Sequence, residues 1–230
     1  MSEYAEKVTQ KISVISWDLD GTLYDANAMK RQLLKLWLQN LWRPSTWFDI
    51  KAILASQKMV KAIHKNGGHF RSNNRGIKGS NNSGNSRLLF DRQVRLLAEQ
   101  AELKWFSRAL INTGLRQNVA AAIDYFAQQG FQQIVVSDYR PDYKLDALGL
   151  ADSFQYTFAC ENYGALKPSP NVFNIVCREL DVHPQEILHI GDRRDTDGIA
   201  AQSAGCLFYY LSPSATFDVE NFRDFSDLLL

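Results

Sequence analysis

Five short apolar runs punctuate the chain, each giving way to a polar turn. They are "KISVISW" before Asp18, "QQIVVSD" (132–138), "YTFAC" (156–160), "EILHIGD" (186–192) and "CLFYYL" (206–211). Their apolar positions are nearly continuous rather than alternating and are rich in β-branched and aromatic residues, which marks strands covered on both faces. Between them, segments 116–129, 142–148, 169–181 and 197–204 have helical spacing. Strands alternating with helices predict an α/β fold: a Rossmann-like, three-layer core with a parallel sheet between helices.

Residues 26–110 break that rhythm. "NAMKRQLLKLWLQNLW", "WFDIKAILASQKMVKAIHK" and "RLLFDRQVRLLAEQAELKWF" all carry helical apolar spacing. Asn, Gly and Ser dominate the stretch 66–86, which has little to bury and predicts a flexible loop. The expected organisation is an α/β core domain of residues 1–25 and 111–230, interrupted by an α-helical cap domain over 26–110. Charge divides along the same line. Residues 26–110 hold sixteen Lys/Arg against four Asp/Glu, so the net charge of +1 conceals a basic insertion on an acidic remainder. Such a segment attracts anions; the more economical expectation is that it offsets the core and draws in small anions, with nucleic acid or another polyanion the less favoured partner.

A chain of 230 residues buries a core of this size, and its 45% hydrophobic and 22% charged content is that of a globular protein. No run of 18 apolar residues occurs, so no transmembrane segment is expected. The opening "MSEYAEKVTQK" lacks a signal peptide's apolar centre, and Cys160, Cys177 and Cys206 share no metal-type spacing. A cytoplasmic protein with thiols packed in the core is the expectation. Trp37, Trp42, Trp47 and Phe48 fall at helical spacing and are expected to form the core of the helical segment. His189, inside a strand-like run, is expected to be a satisfied core residue.

The chemistry gathers where the apolar runs end. Ligands of open parallel sheets bind beyond the carboxyl ends of the strands. Here those ends carry Asp18 and Asp20, Ser137 and Asp138, and Asp192, with Lys167 following the third run. Acids converging with a hydroxyl and a lysine suit a hard cation and phosphate oxygens.

"DLDGTL", a strand-end serine, "LKPSP" and "GDRRDTD", in that order, resemble the haloacid dehalogenase-like hydrolase superfamily, in particular its phosphoglycolate phosphatase-like branch with a helical cap. The resemblance implies a Mg²⁺-dependent phosphatase acting on a small phosphorylated metabolite through an aspartyl-phosphate. Asp18 is then the nucleophile. Asp20 is the general acid and base and lends its backbone carbonyl to the metal. Thr22, Ser137 and Lys167 bind the phosphoryl group, and Asp18, Asp20, Asp192 and Asp197 form the metal set. Asp197 also suits the N-cap of the helix after it, while Asp195 is expected to pair with Arg193 or Arg194. Alternatives are a phosphomutase, a metal-free dehalogenase and, outside enzymes, a non-catalytic phosphate- or polyanion-binding module. Asp138 departs from the family's usual small polar residue after the serine, adding a carboxylate near the phosphate unless it turns away to cap the next helix. A monomer and a homodimer are both compatible with the sequence.

Overall fold

The computed structural model describes residues 12–65, 83–164, 166–212 and 221–229. Six parallel strands form one sheet: β1 (Val14–Trp17), β2 (Gln132–Ser137), β3 (Tyr156–Ala159), β4 (Ile187–Gly191), β5 (Leu207–Leu211) and β6 (Asn221–Phe222). Their order is β3-β2-β1-β4-β5-β6. The chain steps outward from β1 through β2 to β3, then returns to lay β4 on the other side of β1. That reversal places a switch-point crevice at the carboxyl ends of β1 and β4, the site at which such sheets bind ligands.

The continuous apolar runs are explained by two cores, one on each face. Ile15, Trp17, Val135 and Ile190 pack on one side, while Val14, Ile134, Val136 and Ile187 pack on the other. The helices flanking the sheet are α4 (Val119–Gln128), α5 (Asp142–Leu148), α6 (Asn171–Leu180) and α7 (Ile199–Ser203). Strands and helices match the sequence pattern to within about three residues, with two additions. β6 is only two residues long, pairing Asn221 and Phe222 with Tyr210 and Leu211, and is too short to show a period. The segment expected as one helix over 197–204 is instead a π-helical turn, Arg194–Gly198, followed by α7.

Among the described residues, three helices lie between β1 and α4: α1 (Ala26–Gln39), α2 (Pro44–Lys65) and α3 (Ser83–Thr113). Asp25 caps α1, its carboxylate accepting from the backbone N–H groups of Asn27 at 2.7 Å and Ala28 at 3.0 Å. α3 packs against α1, α2 and α5. The loop expected over 66–86 falls on 66–82 outside the described residues, whereas 83–86 already belong to α3. Their Ser, Gly and Asn residues give no apolar signal by which a first turn could be recognised.

The aromatic expectation is corrected. Trp37 is half-buried, but Trp42, Trp47 and Phe48 are 74%, 52% and 72% exposed, so they do not build the helical core. The inward stripe of α2 runs through Thr46, Asp49, Ile53 and Ser56, and Trp47 and Phe48 flank it. Asp49 meets Trp105 of α3, whose indole Nε1 donates to it at 2.8 Å, and Trp105 is the aromatic buried there. Spacing located an apolar stripe, but polar residues occupy the phase that faces inward. The cysteine expectation holds for Cys160 and Cys206, which are buried, with Cys177 packed against the same cluster. His189 is fully buried. Its Nδ1 lies 3.0 Å from Ser16 Oγ, while Nε2 has no partner among the described residues. Burial and the nearby Lys167 hold the ring well below its usual titration range, so it is neutral. No described helix is long and apolar enough to cross a membrane.

Candidate active site

β1 delivers Asp18 to the switch point. The Asp18 N–H donates to Ile190 O at 2.8 Å, extending the β1–β4 ladder by one bond before the chain turns away. The turn needs Gly21, whose φ is +106°. A Cβ there would lie 2.3 Å from Asp192 Oδ2, so the missing side chain admits the second carboxylate. Arg116 steadies the same turn from outside, its Nε and Nη2 donating to Gly21 O at 3.0 and 2.8 Å.

Asp18, Asp192 and Asp197 each place a carboxylate oxygen within 4.8 Å of the others. Lys167 is 2% exposed, and its ammonium reaches three acceptors: Asp18 Oδ1 at 2.6 Å, Asp197 Oδ1 at 2.7 Å and Val136 O at 3.3 Å. Its three N–H groups are therefore matched. Thr22 Oγ1 donates to Asp18 Oδ2 at 2.9 Å, and the Arg193 N–H donates to Asp197 Oδ2 at 3.1 Å. Asp192 Oδ1 is buried and has no hydrogen-bond partner among the described residues.

The electrostatics follow from that arrangement. Three clustered carboxylates against one ammonium leave two negative charges unbalanced in a poorly solvated place. Burial, with Asp197 adding to it against the pull of Lys167, pushes Asp18 up to about 7. Burial and the Asp18 charge push Asp192 up to about 6, and burial raises Asp197 as well. Lys167 is held well above its ordinary value because its acidic neighbours outweigh desolvation. An all-oxygen set carrying that charge, with an unpartnered buried oxygen, fits a divalent cation of the Mg²⁺ type.

Asp20, two residues on, points elsewhere. Both its oxygens lie 2.6 Å from Lys144 Nζ, and the Tyr24 hydroxyl donates to its Oδ1. Ser137 stands at the end of β2, its hydroxyl buried and unpartnered among the described residues. Asp138 does not cap α5, which has Pro141 at its N-cap; its Oδ1 accepts from the Lys167 N–H at 2.9 Å and ties that loop to β2. A cavity of about 180 Å³ is lined by Asp18, Asp20, Asp138, Tyr139, Lys167 and Asp192 among others; neither Thr22 nor Ser137 lines it. A wider cavity of about 630 Å³, near Asp25, Arg116 and Arg223, contains no side chain of the four motifs.

"GDRRDTD" sorts cleanly. Asp192 and Asp197 join the cluster, while Asp195 is 72% exposed and pairs with Arg193 at 2.9 Å. The capping role for Asp197 is corrected: Gly198 occupies the N-cap of α7, and Asp197 lies within the π-helical turn facing Lys167. The extra residue of that turn explains why the N-cap falls one position later than a regular helical period suggests. Sequence reasoning missed Lys144 and Tyr24. The available signal was a lysine on the inward stripe of "DYKLDAL", beside Leu145 and Leu148, where a charge has to find a partner.

A parallel α/β sheet with clustered acids and a buried lysine at its switch point has the charge arrangement of an enzyme site for a cation and an anionic substrate. A family model described as haloacid dehalogenase-like hydrolase matches residues 12–205, and the chain belongs to that family. It is 26% identical over 234 residues to a phosphoglycolate phosphatase of Mannheimia succiniciproducens, covering 96% of this chain and 99% of the relative. It is 23% identical over 234 residues to a glyceraldehyde 3-phosphate phosphatase of Pyrococcus furiosus, covering 96% and 90%. Among solved structures, a 2-haloacid dehalogenase from Pseudomonas syringae superposes with a TM-score of 0.64 at 19% identity, covering 95% of this chain and 96% of that one. CbbY from Rhodobacter sphaeroides in complex with phosphate gives 0.59 at 19% identity, with 95% and 100% covered. At those identities the structures support the fold.

Proposed function

We propose that this hydrolase is a Mg²⁺-dependent phosphatase that cleaves a small phosphate monoester through an aspartyl-phosphate on Asp18. The observation that carries it is the Asp18 carboxylate, buried at a strand end and held between the Lys167 ammonium at 2.6 Å and the Thr22 hydroxyl at 2.9 Å. A carboxylate oxygen so fixed bonds to phosphorus, giving an acyl phosphate (a mixed anhydride), as the bond to the leaving oxygen breaks. Asp20 gives that oxygen a proton, then takes one from the water that frees Asp18. Lys167 offsets charge on the equatorial oxygens, and the Ser137 hydroxyl is available to donate to them. Thr22 orients Asp18 and has no proton left for phosphate. Mg²⁺ held by Asp18, Asp192 and Asp197, with the Asp20 carbonyl, would neutralise the cluster and the phosphoryl group.

Residues 26–110 act in this proposal as a cap on a core made of 1–25 and 111–230. Their excess of basic residues draws anions towards the site. The 180 Å³ cavity suits a phosphoryl group with a small leaving group, in keeping with the three-carbon and two-carbon substrates named for the relatives. Three unpaired cysteines suit a reducing, cytoplasmic setting. The test is phosphate release from a panel of phosphorylated metabolites and p-nitrophenyl phosphate. Release that needs Mg²⁺ and stops with EDTA is expected; no release from any ester ends the proposal.

A second outcome needs no substrate. Because Asp18 and Asp192 titrate near 7 and 6 rather than at their ordinary value, the metal-free fold binds more protons than the unfolded chain between about pH 4 and 7. Its stability therefore falls as pH rises through that window. Mg²⁺ at about a hundred times its dissociation constant should add about 2.7 kcal/mol, roughly 5–10 °C in melting temperature. The gain should be larger at pH 7.5 than at pH 5, where protons compete for the same oxygens. Asp192→Asn should remove most of the gain and Asp195→Asn should keep it. Equal shifts at both pH values would count against the carboxylate cluster as the metal site.

A further inference from the structure

Lys144 belongs to none of the four motifs, yet it is a buried cation committed to an acid of the first of them. It sits on α5 with its side chain 5% exposed, a position that a charged group occupies only when paired. Its ammonium lies 2.6 Å from both oxygens of Asp20. The groups facing it are Asp20, Tyr143 on its own helix and Glu102 on α3. Tyr24 holds the same carboxylate from the other end of the turn through its hydroxyl, and a backbone bridge joins residues 20 and 24. Asp20 nonetheless keeps 35% of its side chain exposed and lines the cavity with Asp18.

An aspartate on a turn is free to rotate, and a proton donor works only within hydrogen-bond reach of the oxygen it serves. Lys144 and Tyr24 remove that freedom while leaving Asp20 open to the cavity. α5 follows directly on β2, so the same connection that carries Ser137 and Asp138 also sets the direction of Asp20. We propose that Lys144 is a positioning residue for proton transfer, acting through Asp20 with Tyr24 as a second point of attachment; this rests on the phosphatase function proposed above. In the first step an Asp18 oxygen bonds to phosphorus, the electron pair of the breaking P–O bond goes to the leaving oxygen, and that oxygen takes the proton of the Asp20 carboxyl group. In the second step a water oxygen bonds to phosphorus and passes a proton to Asp20, while the electron pair of the Asp18–phosphorus bond returns to Asp18.

The consequence is a dependence on the leaving group. An alkoxide has to be protonated as it departs, whereas p-nitrophenolate departs as the anion. The experiment compares kcat/KM of wild type and Lys144→Met on glycerol phosphate and p-nitrophenyl phosphate, with Mg²⁺ present. The loss should be about 100-fold on the alkyl ester against about 5-fold on the aryl ester, the difference being the share carried by proton transfer. A merely structural lysine would lower both by the same factor, and that result, or no loss at all, overturns the proposal. If Lys144→Met fails to fold by circular dichroism, Tyr24→Phe is read on the same pair. The same skew with a smaller ratio supports the proposal, and a uniform change overturns it. Wild type that cleaves neither ester removes the phosphatase function and this inference together; active wild type with a uniform loss removes only the role of Lys144.

Discussion

Asp18→Asn is expected to lower kcat for phosphate release by at least about 10⁴-fold, the scale of losing a covalent nucleophile, while the fold survives. The substitution keeps the shape of the side chain and removes its anionic oxygen. Lys167 retains Asp197 Oδ1 at 2.7 Å and Val136 O at 3.3 Å, so its ammonium is not stranded. The amide also ends the burial of a carboxylate that the site pushes up to about 7. At pH 7.5 without metal the variant should therefore melt no lower than wild type. Single-turnover phosphate release and a thermal melt on the same sample check both halves. A variant retaining more than about a hundredth of wild-type kcat would remove Asp18 as nucleophile.

Lys167→Met should damage both activity and stability. The wild-type ammonium is buried between Asp18 and Asp197, themselves 5% and 2% exposed. Removing one partner of a buried pair costs about 3–5 kcal/mol because the remaining charges lose their compensation. For a chain of this length that is roughly 6–20 °C in melting temperature. The sign with pH is definite. Both carboxyls already sit above their ordinary range, and losing Lys167 raises them further, so protonation relieves the penalty as pH falls. The melting difference from wild type should thus be largest near pH 8. Phosphate release should fall by about 10³-fold or more, as one charge-stabilising donor is lost from a desolvated site. A melting temperature within about 2 °C of wild type at pH 8 would mean that Lys167 does not hold the cluster together.

Much of this architecture is legible in the order of residues. The run "VISW" is apolar at three of its four positions, and the sheet buries Val14 on one side and Trp17 on the other. The acids at the ends of the first and fourth apolar runs meet because parallel strands terminate on one edge, so Asp18 and Asp192 needed only the strand assignments to be brought together. Other features leave no trace in a local period. Trp47 and Phe48 are spaced like core residues, but their helix turns a largely polar stripe inward, and Trp42 lies in the turn before it. The two residues of β6 are too few to show a pattern. Asp197 is expected in the metal set, with a helix cap as its rival role, and the π-helical turn removes the rival by facing it towards Lys167.

What the sequence by itself determined is the alternation of strand and helix, the basic insertion after the first strand, and the set of side chains that reach the carboxyl edge of the sheet. These depend on residue type, on local period and on the uniform direction of a parallel sheet. Tertiary structure alone decided the partners. Thr22 turns to Asp18, Asp138 ties the Lys167 loop to β2, and Lys144 crosses from α5 to hold Asp20, 124 residues away in sequence. Pairings of that kind are set by which helix packs over which turn, where burial obliges each charge to find its counterpart. A chain read in one dimension carries the charges, but not the distances between them.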